Sequence, residues 1–241
     1  MMQEGCLAGC VLAGGRSTRM GQDKALLPLG NVSLAQHAAS KLSTLTPHVY
    51  ILGRRPELAA IAPLIPDLRE SCGPIGGMEA ALSRTPCPWT LILPVDMPFL
   101  PAELLHRWTA WVLRHPAAKL AFFIVDEIPQ PALCLLHRDV LPFLSSAVTE
   151  GRHKLFPVLQ QAANELTQRG GVAIEETLFV REWHQAKASA LFEDFEPGEG
   201  TGGRGVLTSA QRAASNLWFE NLNTPEQFAE AQRHLDALVD P

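Results

Sequence analysis

The chain has no excess of positive charge. Its 20 Lys and Arg face 25 Asp and Glu, a net charge of −5, which removes the electrostatic basis for nonspecific nucleic-acid binding. It has no long apolar run either. The longest are broken by Gly or Pro, and none reaches the ~20 residues of a membrane-spanning helix. The opening Met1-Met2-Gln3-Glu4 is acidic where a signal peptide is basic, so no secretion signal is expected. No CxxC pair occurs among Cys6, Cys10, Cys72, Cys87 and Cys134. Cys6 and Cys10 sit in an apolar run, where free cysteine acts as a small hydrophobe. The expectation is five reduced, structural cysteines in a cytoplasmic protein. A zinc site would need a tighter cluster of Cys and His. None of the eight histidines stands at HxxxH or HxH spacing, which argues against metal ligation by any of them.

What is present is an ordinary globular composition, 46% apolar over 241 residues. Global disorder is excluded, and the length fits one large α/β domain or two small ones. Apolar strand-like runs alternate with helical stretches in the first half, the signature of βαβ units on a mostly parallel sheet. Strands are expected at 6–13, 48–53, 64–67, 89–95 and 120–125, with an extra strand at 132–136. Helices are expected at 34–45, 57–61, 76–84, 101–113, 140–148, 154–163 and 225–238. The acidic, Gly-rich stretch 193–205 reads as a mobile loop, because it has little apolar area to offset ordering entropy. Trp108 and Trp111, three apart on one helix, should anchor it to the sheet.

Four segments carry possible chemistry. Leu12-Ala13-Gly14-Gly15 ends the first strand and leads through Arg16, Arg19 and Asp23 to Lys24. A Gly pair there lets backbone N–H groups face a phosphate, with basic side chains beside it. The spacing fits neither a Walker loop nor the dinucleotide fingerprint, and the alternative is a turn with solvated arginines. Asp96 in Leu93-Pro94-Val95-Asp96-Met97-Pro98 follows a buried strand, at the edge where open α/β sheets bind ligands. A lone carboxylate beside phosphates suits magnesium; alternatively Asp96 caps the next helix. Asp67 precedes Gly73-Pro74-Ile75-Gly76-Gly77, a second ligand-facing loop or a tight turn. Finally, Asn221 and Asn223 in Asn221-Leu222-Asn223-Thr224-Pro225 project to one side of an extended segment. A strand end followed by a cap, from Asn223 or Thr224, would leave Asn221 without a task.

Together the LAGG-x-S-x-R-M-G-x-D-K string, VDMPFLP, the GPIGG loop and NLNTPEQF resemble the MobA-like nucleotidyltransferases, most of all those that guanylylate the molybdenum cofactor. The resemblance covers about 6–160 and 217–235. It implies a Rossmann-like three-layer α/β sandwich, mostly parallel with a small antiparallel extension, and one nucleotidyltransferase domain over 1–241. It implies transfer of GMP from GTP to the phosphate of Mo-molybdopterin with release of pyrophosphate. Magnesium would be the cofactor. GTP and the molybdopterin cofactor would be the partners, with other cofactor-assembly proteins nearby and neither nucleic acid nor membrane. Carried over by position, Leu12, Ala13, Gly14 and Gly15 hold the nucleotide through backbone groups. Lys24 contacts its phosphates, Arg19 is a basic position on the loop, and Asp67 binds the nucleotide. Asp96 binds both metal and nucleotide, and Asn221 and Asn223 lie near the acceptor and metal.

Three departures stand out. Where many guanylyltransferases carry an asparagine against guanine, this chain has Tyr50-Ile51-Leu52-Gly53-Arg54. Pro94 lacks an N–H, so its strand should end early or lack a partner there. Residues 165–215, with Glu175, Glu176, Arg181 and His184, exceed the expected family outline. The rival readings are a cytidylyltransferase acting on the molybdenum cofactor or another small phosphate, and a noncatalytic nucleotide-binding regulator.

Overall fold

The computed structural model describes residues 6–13, 23–184, 192 and 207–240. Gly14, Gly15, Arg19 and the expected mobile loop 193–205 lie outside the described residues.

A seven-stranded sheet organises the chain. Its strands are β1 (Leu7–Leu12), β4 (Val49–Leu52), β5 (Leu64–Ile65), β6 (Trp89–Pro94), β7 (Leu120–Val125), β8 (Ile128–His137) and β9 (Leu178–Trp183). A separate small hairpin joins β2 (Pro28–Leu29) to β3 (Val32–Ser33). The order in the sheet is β5-β4-β1-β6-β8-β7-β9. All neighbours are parallel except β6/β8 and β8/β7. The mostly parallel expectation holds, and β8 supplies the antiparallel element. That strand is twice the expected length and lies inside the sheet, not at its margin. β9 was not expected; it docks on β7 in parallel from the stretch beyond 165. β6 runs to Pro94 opposite Leu12 of β1, while its ladder with β8 stops at Ile92. The proline therefore falls where the β8 side has no ladder bond to lose.

Helix α1 (Leu34–Leu45) begins at a capping box, with Gln36 N donating to Ser33 Oγ and Ser33 N donating to Gln36 Oε1. It buries Leu34, Ala35, Ala38, Ala39 and Leu42, spaced to form one apolar stripe. It approaches β1 closely enough that a Cβ on Gly9 would lie 3.0 Å from Leu42 Cβ. α2 (Pro74–Arg84) follows Gly73, whose φ of +65° favours glycine. α3 (Ala102–Leu113), α4 (Leu141–Thr149) and α5 (Leu155–Gly170) complete the main helices. α5 outruns its expected end by a mostly polar extension whose Leu166 packs on the core, and stops at Gly171, left-handed at φ +64°. The segment after Glu57 is a 3-10 turn (Pro56–Ala60). The final helix holds only over Pro225–Ala231, then tightens to a 3-10 stretch kinked at His234, whose ring lies edge-on to Phe99.

Two apolar layers sandwich the sheet. One, containing α1 and α3, gathers Trp108, Phe123, Trp183, Trp218 and Phe219; the other, containing α2, α4 and α5, gathers Ile75, Met78, Phe122 and Leu144. Trp108 is fully buried against Phe123, and Trp111 meets Phe179, so both tryptophans anchor α3 as expected. No described helix is long and apolar enough to cross a membrane.

The cysteine expectation needs correcting. Cys6 and Cys87 form a disulfide across 81 residues, while Cys10, Cys72 and Cys134 are free and buried. Spacing along the chain could not reveal the pair, because it arises from β1 and β6 lying side by side. The same adjacency makes a Cys and His cluster that local spacing had argued against: Cys6, His48 and Cys87 have their ligand atoms within 4.8 Å of one another.

Candidate active site

The carboxyl edge of the parallel strands collects the segments picked out by sequence. Leu12 pairs with Pro94, and Val95 N donates to Leu12 O at 3.3 Å. The chain therefore leaves β1 at Ala13 beside the turn that carries Asp96. Nine residues separate Ala13 from Asp23, which caps the 3-10 turn Lys24–Leu26 by accepting from Ala25 N. This turn aims Lys24 back over the edge.

Lys24 Nζ donates to Asp96 Oδ2 at 3.1 Å and to Asn223 Oδ1 at 2.8 Å. Two segments, 72 and 199 residues further along the chain, thus meet on the Lys24 ammonium. The side chains keep 12% and 25% of their surface exposed for Lys24 and Asp96, so the pair is sheltered yet open to a ligand. Asp96 does not cap α3; Pro101 stands at that position.

The Asn-rich segment is tied to the same place by Leu222 N, which donates to Asp96 O at 2.9 Å, while the Leu222 side chain is buried. Thr224 is the helix cap, in a capping box with Gln227. That choice leaves the Asn223 amide for Lys24. Asn221 and Asn223 both line an open cavity of about 310 Å³ whose far wall includes Asp126 and Gln130 at the β7–β8 turn.

Asp67 follows β5 at the same edge, three strands from β6, or about 14 Å at ~4.8 Å per strand. Burial pushes its carboxyl pKa up, and the nearby Arg54 opposes the shift. Arg54 also donates to Asp67 O at 3.1 Å. The GPIGG loop serves packing at Gly77, where a Cβ would lie 3.4 Å from Leu52 Cδ1 and 3.6 Å from Leu12 Cδ1.

Two residues were missed. Arg55, just past β4, donates to Ala13 O and forms an ion pair with Asp23. It clasps both ends of the Gly-rich loop. The Arg54-Arg55 pair at a strand's carboxyl end was the available signal. Lys41 on α1 is buried and donates to Pro98 O, bracing the turn after Asp96. Burial pulls its pKa from 10.5 to about 8, opposed by Asp240. Only its buried position on α1 betrays it, and a long amphipathic side chain at such a position reads as solvated.

A family model for the MobA-like NTP transferase domain matches residues 9–167. The chain belongs to the MobA-like NTP transferase family. It is 36% identical to the molybdenum cofactor guanylyltransferase of Vibrio cholerae over 149 residues, 60% of this chain and 72% of that one. It is 31% identical to the enzyme of that name from Rhizobium johnstonii over 244 residues, 96% of this chain and 94% of that one. The family model ends at 167, so 165–215 lies almost wholly beyond it, as expected, while the Rhizobium relative aligns across nearly the whole chain. The fold matches molybdopterin-guanine dinucleotide biosynthesis protein A of Archaeoglobus fulgidus, with a TM-score of 0.65 at 21% identity, covering 94% and 97% of the two chains.

As a site for a divalent metal, the edge offers Asp96 carboxylate and Asn223 amide oxygens converging where a cation already stands. An all-oxygen donor set suits a hard divalent cation.

Proposed function

We propose that this transferase moves GMP from GTP to the phosphate of Mo-molybdopterin, with magnesium, as one domain spanning 1–241. The observation that carries the reading is the meeting of Lys24, Asp96 and Asn223 on one ammonium at the sheet's carboxyl edge. The names of the relatives support the base and the acceptor.

The triphosphate would lie along the edge from the Asp67 side toward Asp96, with its phosphates against Lys24; Gly14, Gly15 and Arg19 are the further phosphate contacts that the family resemblance implies. The acceptor would enter from the cavity beside Asn221 and Asn223. An oxygen of its phosphate forms a bond to the α-phosphorus, and the bond from that phosphorus to the β-phosphate bridging oxygen breaks. The electron pair leaves with pyrophosphate. The acceptor phosphate is ionised at neutral pH, so no side chain need act as base. Two anions must approach, and Lys24 with the loop amides offsets their repulsion and holds the attack in line. Bound magnesium, held by Asp96 with Asn223 near, would add charge neutralisation at the triphosphate. Arg55 positions the loop and Lys41 positions the Asp96 turn.

We assign the reaction to the cytoplasm, with the acceptor handed over by proteins that assemble the cofactor. Pyrophosphate release should be measured with molybdopterin acceptor and each of the four nucleoside triphosphates. Release with GTP alone is expected. Release with CTP instead would favour cytidylyl transfer, a reading supported by the lack of an amide at Leu52-Gly53-Arg54. Binding without release would favour a regulator.

A further inference from the structure

We propose that Cys6, His48 and Cys87 form a zinc site at the amino edge of the sheet, at the opposite end of the same strands that build the catalytic edge. Three adjacent strands in the order β4-β1-β6 enter the sheet there. Each carries one ligand immediately before or near its first residue: His48 ahead of Val49, Cys6 ahead of Leu7, Cys87 two residues ahead of Trp89. The two sulfurs and an imidazole nitrogen lie within 4.8 Å of one another, with Cys87 buried and Cys6 and His48 half-buried.

The backbone around all three is pinned. Gly9 N donates to His48 O at 2.9 Å, and His48 N donates to Thr46 Oγ1 at 3.1 Å. Thr46 Oγ1 in turn donates to Leu7 O at 2.6 Å. On the far side Arg138 Nη2 donates to Cys87 O at 3.0 Å, and Arg138 N to Pro88 O at 2.8 Å. The ligands are therefore presented by rigid strand starts and not by a loose surface loop.

The structure holds the two sulfurs as a disulfide, which uses both thiols and leaves the imidazole with no part in the bond. A zinc ion uses all three groups. Two thiolates and one imidazole are a natural donor set for Zn²⁺, and the half-exposed side leaves a fourth position for water. The two states exclude each other. Reduction by a phosphine consumes one phosphine and one water per disulfide and yields two thiols and a phosphine oxide. Metal binding then releases the two thiol protons. The other cysteines do not compete: Cys10, Cys72 and Cys134 are buried, and burial pushes the Cys10 and Cys134 thiols well up.

The test uses the full chain, reduced with a phosphine and kept anaerobic, with Co²⁺ as the visible probe and Zn²⁺ as competitor. One equivalent of Co²⁺ should give a thiolate-to-metal charge-transfer band together with tetrahedral d–d absorption, and one equivalent of Zn²⁺ should abolish both. Cys6→Ser and Cys87→Ser should each lose the charge-transfer spectrum. His48→Ala should bind at least about tenfold more weakly, since loss of a direct ligand exceeds what outer-shell changes cost. The disulfide form should take up no metal. Absence of the spectrum in the reduced wild type overturns the proposal. So does a spectrum that survives Cys6→Ser, unchanged affinity in His48→Ala, or loss of cooperative unfolding on reduction alone. The wild-type spectrum needs no variant to fold, and the proposal stands or falls independently of the nucleotide reaction.

Discussion

The two ends of β4, β1 and β6 differ in chemistry although the same strands build both. At the carboxyl end the strands release into loops that bring Lys24, Asp96 and Asn223 together around an open edge. At the amino end the strand starts hold two sulfurs and an imidazole in a tight, pinned group. Parallel strands align all their carboxyl ends on one side, so hard, charged groups for phosphate gather there. The opposite end is shaped by strand pairing and by the hydrogen bonds that Thr46 and Arg138 make to the strand starts. Function at the first end depends on loops, and at the second on register.

If that contrast is right, damage at the carboxyl end should be severe for turnover and damage at the amino end nearly silent. Asp96→Ala removes one partner of Lys24 and the carboxylate proposed for the metal; pyrophosphate release should fall by more than about a thousandfold, in excess of what one lost hydrogen-bond donor costs. Near-normal turnover in that variant would remove the site. Lys24→Ala should cost about 3 kcal/mol of transition-state stabilisation, read as kcat/KM for GTP.

Lys41 gives a pH signature. Its folded pKa of about 8 lies below its usual 10.5, so the folded state sheds its proton first as pH rises. The burial cost is fully present below pH 8 and is relieved between about 8 and 10.5. The stability of the wild type relative to Lys41→Met should therefore rise through that window by up to about 3 kcal/mol, measured by urea unfolding. A flat difference would mean the amine is not buried as a charge.

Arg55→Ala should be milder, about tenfold in KM for GTP with kcat less affected, because it holds the loop ends and touches no reacting atom. Arg55→Lys should not rescue it, since a single ammonium cannot replace a forked guanidinium between Ala13 O and Asp23. Smallest of all, Cys6→Ser should leave pyrophosphate release within about twofold of wild type, as expected for a change at the opposite end of the strands from the reacting groups.

Much of this was legible in the sequence wherever a signal is local. The α1 bounds and the stripe on it follow from neighbouring residues, as do β1, β6 and β7. Asp96 and Lys24 were legible because each follows a buried strand whose direction the βαβ alternation fixes. What resisted reading is what only the folded chain brings together. Lys41 reaches Pro98 across 57 residues, and Cys6 reaches Cys87 across 81. Arg55 clasps two ends of a loop that local sequence shows as one. β9 carries Arg181 and Glu182 on an edge and lacks a clean alternation, so its pairing with β7 needed the sheet to exist first.

Thermal unfolding with magnesium and GTP, in wild type and in Asp96→Ala, bears most directly on the catalytic edge, because a ligand that binds only the folded state raises its melting temperature. GTP should raise the wild-type melting temperature in a magnesium-dependent way, more than CTP or ATP does, and should leave Asp96→Ala almost unmoved. An equal rise in Asp96→Ala would place the nucleotide somewhere other than the Lys24, Asp96 and Asn223 edge.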